Sequence, residues 1–210
     1  MKFLISSFIL IFLGYCIKSN TTHLQEFKNA SSVSYKVMNN RDEFNFLISV
    51  LEKDQNNRPS SLKIEIIKNS KNFQNITYNP SAWPVIKDPL ALTRANYFAN
   101  DTVINDGVEH FHDFIIADFN FDGREDFAIL YDFGGNGGPS YSYFFQNEKG
   151  EFLSNKEFPL NEGPFPKIIN KADKTLVIKR PKGCCKTNTT VFQLQKNNWK
   201  IISTTDEAME

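Results

Sequence analysis

Nine consecutive residues midway along the chain, Asp118-Phe119-Asn120-Phe121-Asp122-Gly123-Arg124-Glu125-Asp126, read D-x-N-x-D-G-x-x-D. A hard cation such as Ca2+ takes about six to eight oxygen ligands at short range. Oxygen side chains at alternate positions converge when the chain wraps around an ion. Asp118, Asn120 and Asp122 supply positions 1, 3 and 5, Gly123 permits the sharp turn, Arg124 offers its backbone carbonyl at position 7, and Asp126 closes the loop. Three carboxylates so close repel one another without a metal, so ion binding and loop order are expected to be coupled. The loop is not an EF-hand: position 12 is Ile129, where that motif needs a bidentate Glu. One carboxylate short, the site would recruit Asp113 or Asp132, or fill with water. The sequence leaves these three open.

A second stretch follows at once. Gly134, Gly135, Gly137 and Gly138 precede Pro139-Ser140-Tyr141. Glycines carry no side chain and allow close approach of backbone to a partner. Pro139 reduces the entropy lost on ordering, and Tyr141 is a rigid, amphipathic anchor. Gly137, Gly138, Ser140 and Tyr141 are therefore the candidate partner-binding residues, the alternative being a tight turn with Tyr141 and Tyr143 packed inside.

Cys184 and Cys185 are adjacent. Trans neighbours hold their Cα atoms about 3.8 Å apart, whereas an ordinary disulfide needs at least about 4.4 Å, so a vicinal disulfide there is strained. Its rival is a pair of free or intermolecular thiols. His110 and His112 share a strand face without an evident third ligand, which favours surface histidines over zinc. No G-x-S-x-G elbow occurs. Glu109, Asp113, Glu125 and Asp132 could in principle form a glycosidase carboxylate pair.

These residues need strands to hold them. Residues 33–37, 44–51, 61–67 and 72–78 have strand character, and SLKIEII places Leu62, Ile64 and Ile66 on one face. Residues 79–110, with Pro80, Pro84 and Pro89, read as irregular, with a short helix over 90–100. Strands resume at 114–117, 127–131, 141–146, 166–170, 175–180, 190–195 and 199–203. Hairpin turns fall at 147–150 and 196–198. The expected fold is all-β and antiparallel, a truncated β-propeller-like chain or, alternatively, a barrel or sandwich.

Met1-Lys2 followed by the apolar run at residues 3–13 (FLISSFILIFL) has the form of a signal peptide and is too short to span a bilayer. Leu13-Gly14-Tyr15-Cys16 resembles a lipoprotein box, with Tyr15 where a small residue is usual, so Cys16 is a candidate lipid anchor and otherwise lies at ordinary cleavage. The organisation expected is a signal segment over 1–16, a tether over 17–31, one β-rich domain over 32–204 and a tail over 205–210. Export to the periplasm or cell envelope follows, with membrane contact only through that anchor. Twenty-four basic and 24 acidic residues leave zero net charge. That balance speaks against a nucleic-acid partner, since neutralising phosphates takes a clustered basic excess.

The D-x-N-x-D-G-x-x-D loop, the Gly-rich stretch before an aromatic strand, the late Gly183-Cys184-Cys185 and the terminal Asn198-Trp199-Lys200 together resemble the XAC-type immunity-protein family of bacterial envelope lysozyme inhibitors, over residues 113–203. A strand–cation loop–strand of this spacing also resembles the FG-GAP loops of integrin-type β-propellers. The resemblance implies a calcium-bound, truncated propeller relative whose S-G-x-x-Y loop enters the cleft of a peptidoglycan-cleaving enzyme. The matching stretch here is 137–141, with Gly137 where the pattern has Ser. The expected function is inhibition of a lysozyme-like peptidoglycan hydrolase or effector, with no catalysis by this chain. Ca2+ in the 118–126 loop would position the adjoining 134–141 loop. The alternatives are a calcium-stabilised adhesion or glycan-binding module and, third, a carboxylate-based glycoside hydrolase.

Overall fold

The computed structural model describes residues 44–84, 112–135 and 138–208, together with the backbone of 34–38, 94–96 and 102–103. The expected signal segment, Cys16 and the tether lie outside these residues, as do Glu109, His110 and Gly137. Fourteen strands and no helix occur among the described residues, and none of them forms a helix long and apolar enough to cross a membrane.

Period-two alternation builds the first sheet. In β2 (Phe44–Lys53) Phe44, Phe46 and Ile48 point inward, and in β3 (Pro59–Lys68) Leu62, Ile64 and Ile66 do the same. Antiparallel register sets Phe46 opposite Ile66 and Ile48 opposite Ile64, so the apolar residues meet across the pair. With β1 (Ser34–Met38) and β4 (Lys71–Tyr78) the order is β1-β2-β3-β4. The middle sheet has the order β10-β9-β8-β7-β5, made from β5 (Arg94–Asn96), β7 (Phe114–Ala117), β8 (Asp126–Asp132), β9 (Ser140–Gln146) and β10 (Phe152–Ser154). The third has the order β14-β13-β12-β11-β6, from β6 (Thr102–Val103), β11 (Ile168–Asn170), β12 (Thr175–Lys182), β13 (Lys186–Gln195) and β14 (Asn198–Ala208). Every pairing is antiparallel except β5 with β7. Each sheet thus carries a meander of four consecutive strands, the unit a propeller blade also uses.

The middle sheet is covered on both faces, which is why FIIA in β7 and FAIL in β8 are continuously apolar. One face meets the first sheet: Phe46 packs on Phe114, Phe127 and Phe152, and the Tyr78 hydroxyl donates to the Leu130 carbonyl. The other face meets the 158–165 segment, with Tyr141 against Phe165 and both Tyr143 and Phe145 against Phe158. Phe158 in turn touches Trp199 of β14. No sheet closes into a barrel, so the all-β expectation holds and the layers stack in the sandwich-like alternative.

Three local expectations change. Residues 94–96 form a strand where a helix was expected, because they pair with Phe114 to Ile116. Strand β10 has no strong periodicity of its own and exists through pairing with Phe144 to Gln146. β14 continues to Ala208 opposite Lys186, so residues 205–208 are strand and not tail. The 196–198 turn is a two-residue hairpin loop, with Lys196 and Asn197 both at positive φ between the paired Gln195 and Asn198.

Candidate functional site

Strand β7 ends at Ala117 and β8 begins at Asp126, and these two residues are cross-strand partners. The 118–125 segment is therefore a loop whose ends the sheet holds together. Its backbone turns left-handed twice, at Phe121 (φ 60°) and Gly123 (φ 84°). Gly123 adopts this freely. A bulky Phe in that region costs about 1–3 kcal/mol, which neighbouring packing must offset. Phe121 lies 6.0 Å from the Trp199 ring, so the loop is clamped to the third sheet.

The oxygen side chains turn inward onto backbone donors. Asp118 accepts from the Asp122 and Gly123 N–H groups at 3.1 and 3.0 Å. Asn120 Oδ1 accepts from the same Asp122 N–H, and Asp122 Oδ1 from the Arg124 N–H at 2.8 Å. Asp126 braces the loop from below, accepting from the Phe119 N–H and from the Gln146 N–H of β9, both at 2.9 Å. Asp118 and Asp126 are 3% and 0% exposed. Burial raises both carboxyls above the ordinary range, Asp126 strongly, and the charge of Asp122 pushes each the same way against the opposing backbone hydrogen bonds. Asp122 differs: its Oδ2 accepts from the Arg124 guanidinium at 2.7 Å and from Asn120 Nδ2 at 2.9 Å. Arg124 Nε also donates to the Gln146 carbonyl. Arg124 was expected to contribute only its backbone carbonyl, and the role of its side chain as a local counter-ion has no signature in the motif.

Two buried carboxylates whose hydrogen-bond partners are backbone N–H groups are a donor set that suits a hard cation. Asp118, Asn120, Asp122, Asp126 and the Arg124 carbonyl are the residues that would hold it. As placed, no three acidic, His or Cys side chains among the described residues close on one point, because Asp122 is turned to Arg124 and Asp126 to the backbone. Neither Asp113 nor Asp132 completes the set. Asp113 precedes β7 and Asp132 ends β8, both at the far end of the strands from the loop. Asp132 Oδ1 instead accepts the Gly134 N–H at 2.7 Å.

The Gly-rich stretch leaves the opposite end of β8. Its seven residues at roughly 3.3 Å each put about 20 Å between the two loops. The expectation that the ion loop directly positions the glycine loop is therefore corrected: antiparallel pairing sends successive loops to opposite ends of a sheet. The glycine loop is held by its own neighbours. Gly134 has φ 74°, and a Cβ there would overlap the Gly138 carbonyl. The Gly138 N–H donates to the Gly135 carbonyl at 3.1 Å. Ser81 and Ala82 N–H groups donate to the Tyr131 carbonyl, and the Phe133 N–H to Ala82. Phe133, 37% exposed, lies under the Arg58 guanidinium at 5.5 Å.

Tyr141 is corrected as a partner anchor. It is 1% exposed, packs on Phe165, and its N–H donates to the Gly163 carbonyl at 2.8 Å. Cross-strand pairing with Leu130 turns its ring to the covered face. Gly138 stays exposed and Ser140 half-buried. Cys184 and Cys185 are exposed and not bonded to each other in this structure. Of the carboxylate candidates, Glu125 sits at the ion-loop end, removed by the length of β8 from Asp113 and Asp132, so it pairs with neither.

No family model matches the chain, and no curated protein does. Among solved structures, a Xanthomonas protein related to a type IV secretion system is similar, with a TM-score of 0.59 and 17% identity over 88% of this chain and 87% of that one. At that identity the likeness is one of fold.

Proposed function

We propose that this chain is an exported inhibitor of a lysozyme-like peptidoglycan hydrolase, an immunity-type protein that presents the 133–139 loop to the enzyme's cleft and carries Ca2+ in the 118–126 loop. The carrying observation is the form of the glycine loop. It folds back on itself through Gly134 against Gly138, and Gly135 and Gly138 meet nothing within 4 Å at their Cβ positions. With no side chain at Gly134, Gly135 and Gly138, this backbone can approach the walls of a cleft that a bulkier loop cannot enter. The bonds of the Gly134 N–H to Asp132 and of the Gly138 N–H to Gly135 hold the loop's two described ends before binding, which lowers the entropic cost of docking. The secretion-system description of the similar Xanthomonas protein supports an envelope setting. Ca2+ would act at the other end of the sheet, neutralising Asp118, Asp122 and Asp126 and so stabilising the scaffold.

Gly135 gives a clean test. Its backbone is not left-handed and the space around it is open, so Gly135→Trp leaves the melting temperature unchanged while filling the projection. Inhibition of a muramidase panel by the wild type, lost in Gly135→Trp, is the expected result. Equal inhibition by both proteins would remove the loop from the interface. Wild-type protein that binds a glycan array and inhibits no muramidase would replace this reading with the glycan-binding one.

A further inference from the structure

The hairpin joining β12 to β13 turns through three residues, Gly183, Cys184 and Cys185, between the paired Lys182 and Lys186. Gly183 takes φ 68°, which lets the loop be this short. From Lys179 to Lys182 β12 is fully exposed, and β14 is exposed from Lys200 to Ala208, so the tip stands clear of the core. The Lys182 ammonium meets Asp206 at 2.6 Å and Asn188 Nδ2 meets the same carboxylate at 2.8 Å, which ties the three strands together beneath the tip. Both thiols are exposed and adjacent at the tip of this short turn.

We propose that Cys184 and Cys185 form a thiol–disulfide exchange site that takes a disulfide-bearing partner and is oxidised in two steps. The thiolate of one cysteine attacks a sulfur of the incoming disulfide. A new S–S bond forms to the protein, the old one breaks, and the departing thiolate takes a proton from water. The second cysteine, after losing its proton to water, attacks the Sγ of the first cysteine in that mixed disulfide. The Sγ–Sγ bond between residues 184 and 185 forms and the second partner thiolate leaves. The protein dithiol has lost two electrons, and the disulfide has become two thiols. Adjacency makes the second step intramolecular, so the mixed disulfide does not accumulate. The trans Cα spacing of about 3.8 Å strains the resulting ring, which makes it oxidising and readily reopened by a thiol.

The test uses glutathione disulfide as probe on the full chain, followed by acid quench, alkylation and tryptic mapping. Cleavage after Lys182 and Lys186 isolates Gly183-Cys184-Cys185-Lys186 from Cys16. The expected wild-type fragment has lost both alkylatable thiols and carries no glutathione, and an excess of reduced glutathione restores both. Cys184→Ser and Cys185→Ser each stop at one stable glutathione adduct. A wild-type fragment that holds the adduct as the single variants do, or that stays a dithiol throughout, overturns the proposal.

Discussion

Tyr141→Ala separates the two roles this residue has been given. As a core residue, it loses a ring that is 1% exposed and stands 5.7 Å from Phe165. Large-to-small changes of a buried aromatic cost about 3–5 kcal/mol, as lost transfer energy plus the cavity left behind. For a domain of this size each kcal/mol moves the melting temperature by roughly 2–4 °C. The expected fall is therefore about 6–20 °C, read by circular dichroism at the β-sheet minimum. Any loss of inhibition should track the unfolded fraction and recover when the assay is cooled below the transition. A drop under about 2 °C with inhibition abolished at every temperature would refute this and return Tyr141 to the interface.

Gly134→Ala forces a methyl against the Gly138 carbonyl at a left-handed φ, and urea unfolding should show a loss of about 1–3 kcal/mol, with the neighbouring Gly135→Ala near neutral. Asp126→Ala removes the acceptor shared by the buried Phe119 and Gln146 N–H groups. Two unmet donors should cost about 2–6 kcal/mol in the same assay without calcium, and more with calcium present because a ligand to the ion is also lost. Calcium at 100 times its dissociation constant should raise stability by about 2.7 kcal/mol, a gain that a chelator reverses; melting curves indifferent to both would remove the ion from the 118–126 loop. Arg124→Gln frees Asp122 from its guanidinium, and calorimetric titration should then show tighter calcium binding than in the wild type.

Much of the scaffold was legible in the sequence. Strand β7 fell on the expected residues 114–117, and Leu62, Ile64 and Ile66 line the core together as the alternation required. The two expected hairpin turns are present, because Asn147 and the Lys196-Asn197 pair hold their turns through bonds and dihedrals within a few residues. The inward curl of Asp118, Asn120 and Asp122 was legible for the same reason. Less accessible were features that depend on distant partners, such as β10, the strand at 94–96 and the Phe121–Trp199 clamp.

The amino-acid order alone determined the class of the chain, the spacing of its strands and the local shape of its acidic loop. All three depend on interactions between residues a few positions apart. Tertiary structure decided which loops share an end of the sheet and which tyrosines are buried. In Ser140-Tyr141-Ser142-Tyr143-Phe144-Phe145 one face carries Tyr141, Tyr143 and Phe145, and because tyrosine suits a core or a partner surface, periodicity could not say whether that face was covered. Layers on either side of the middle sheet cover both faces, and Tyr141 becomes part of the core while the glycines beside it remain at the surface.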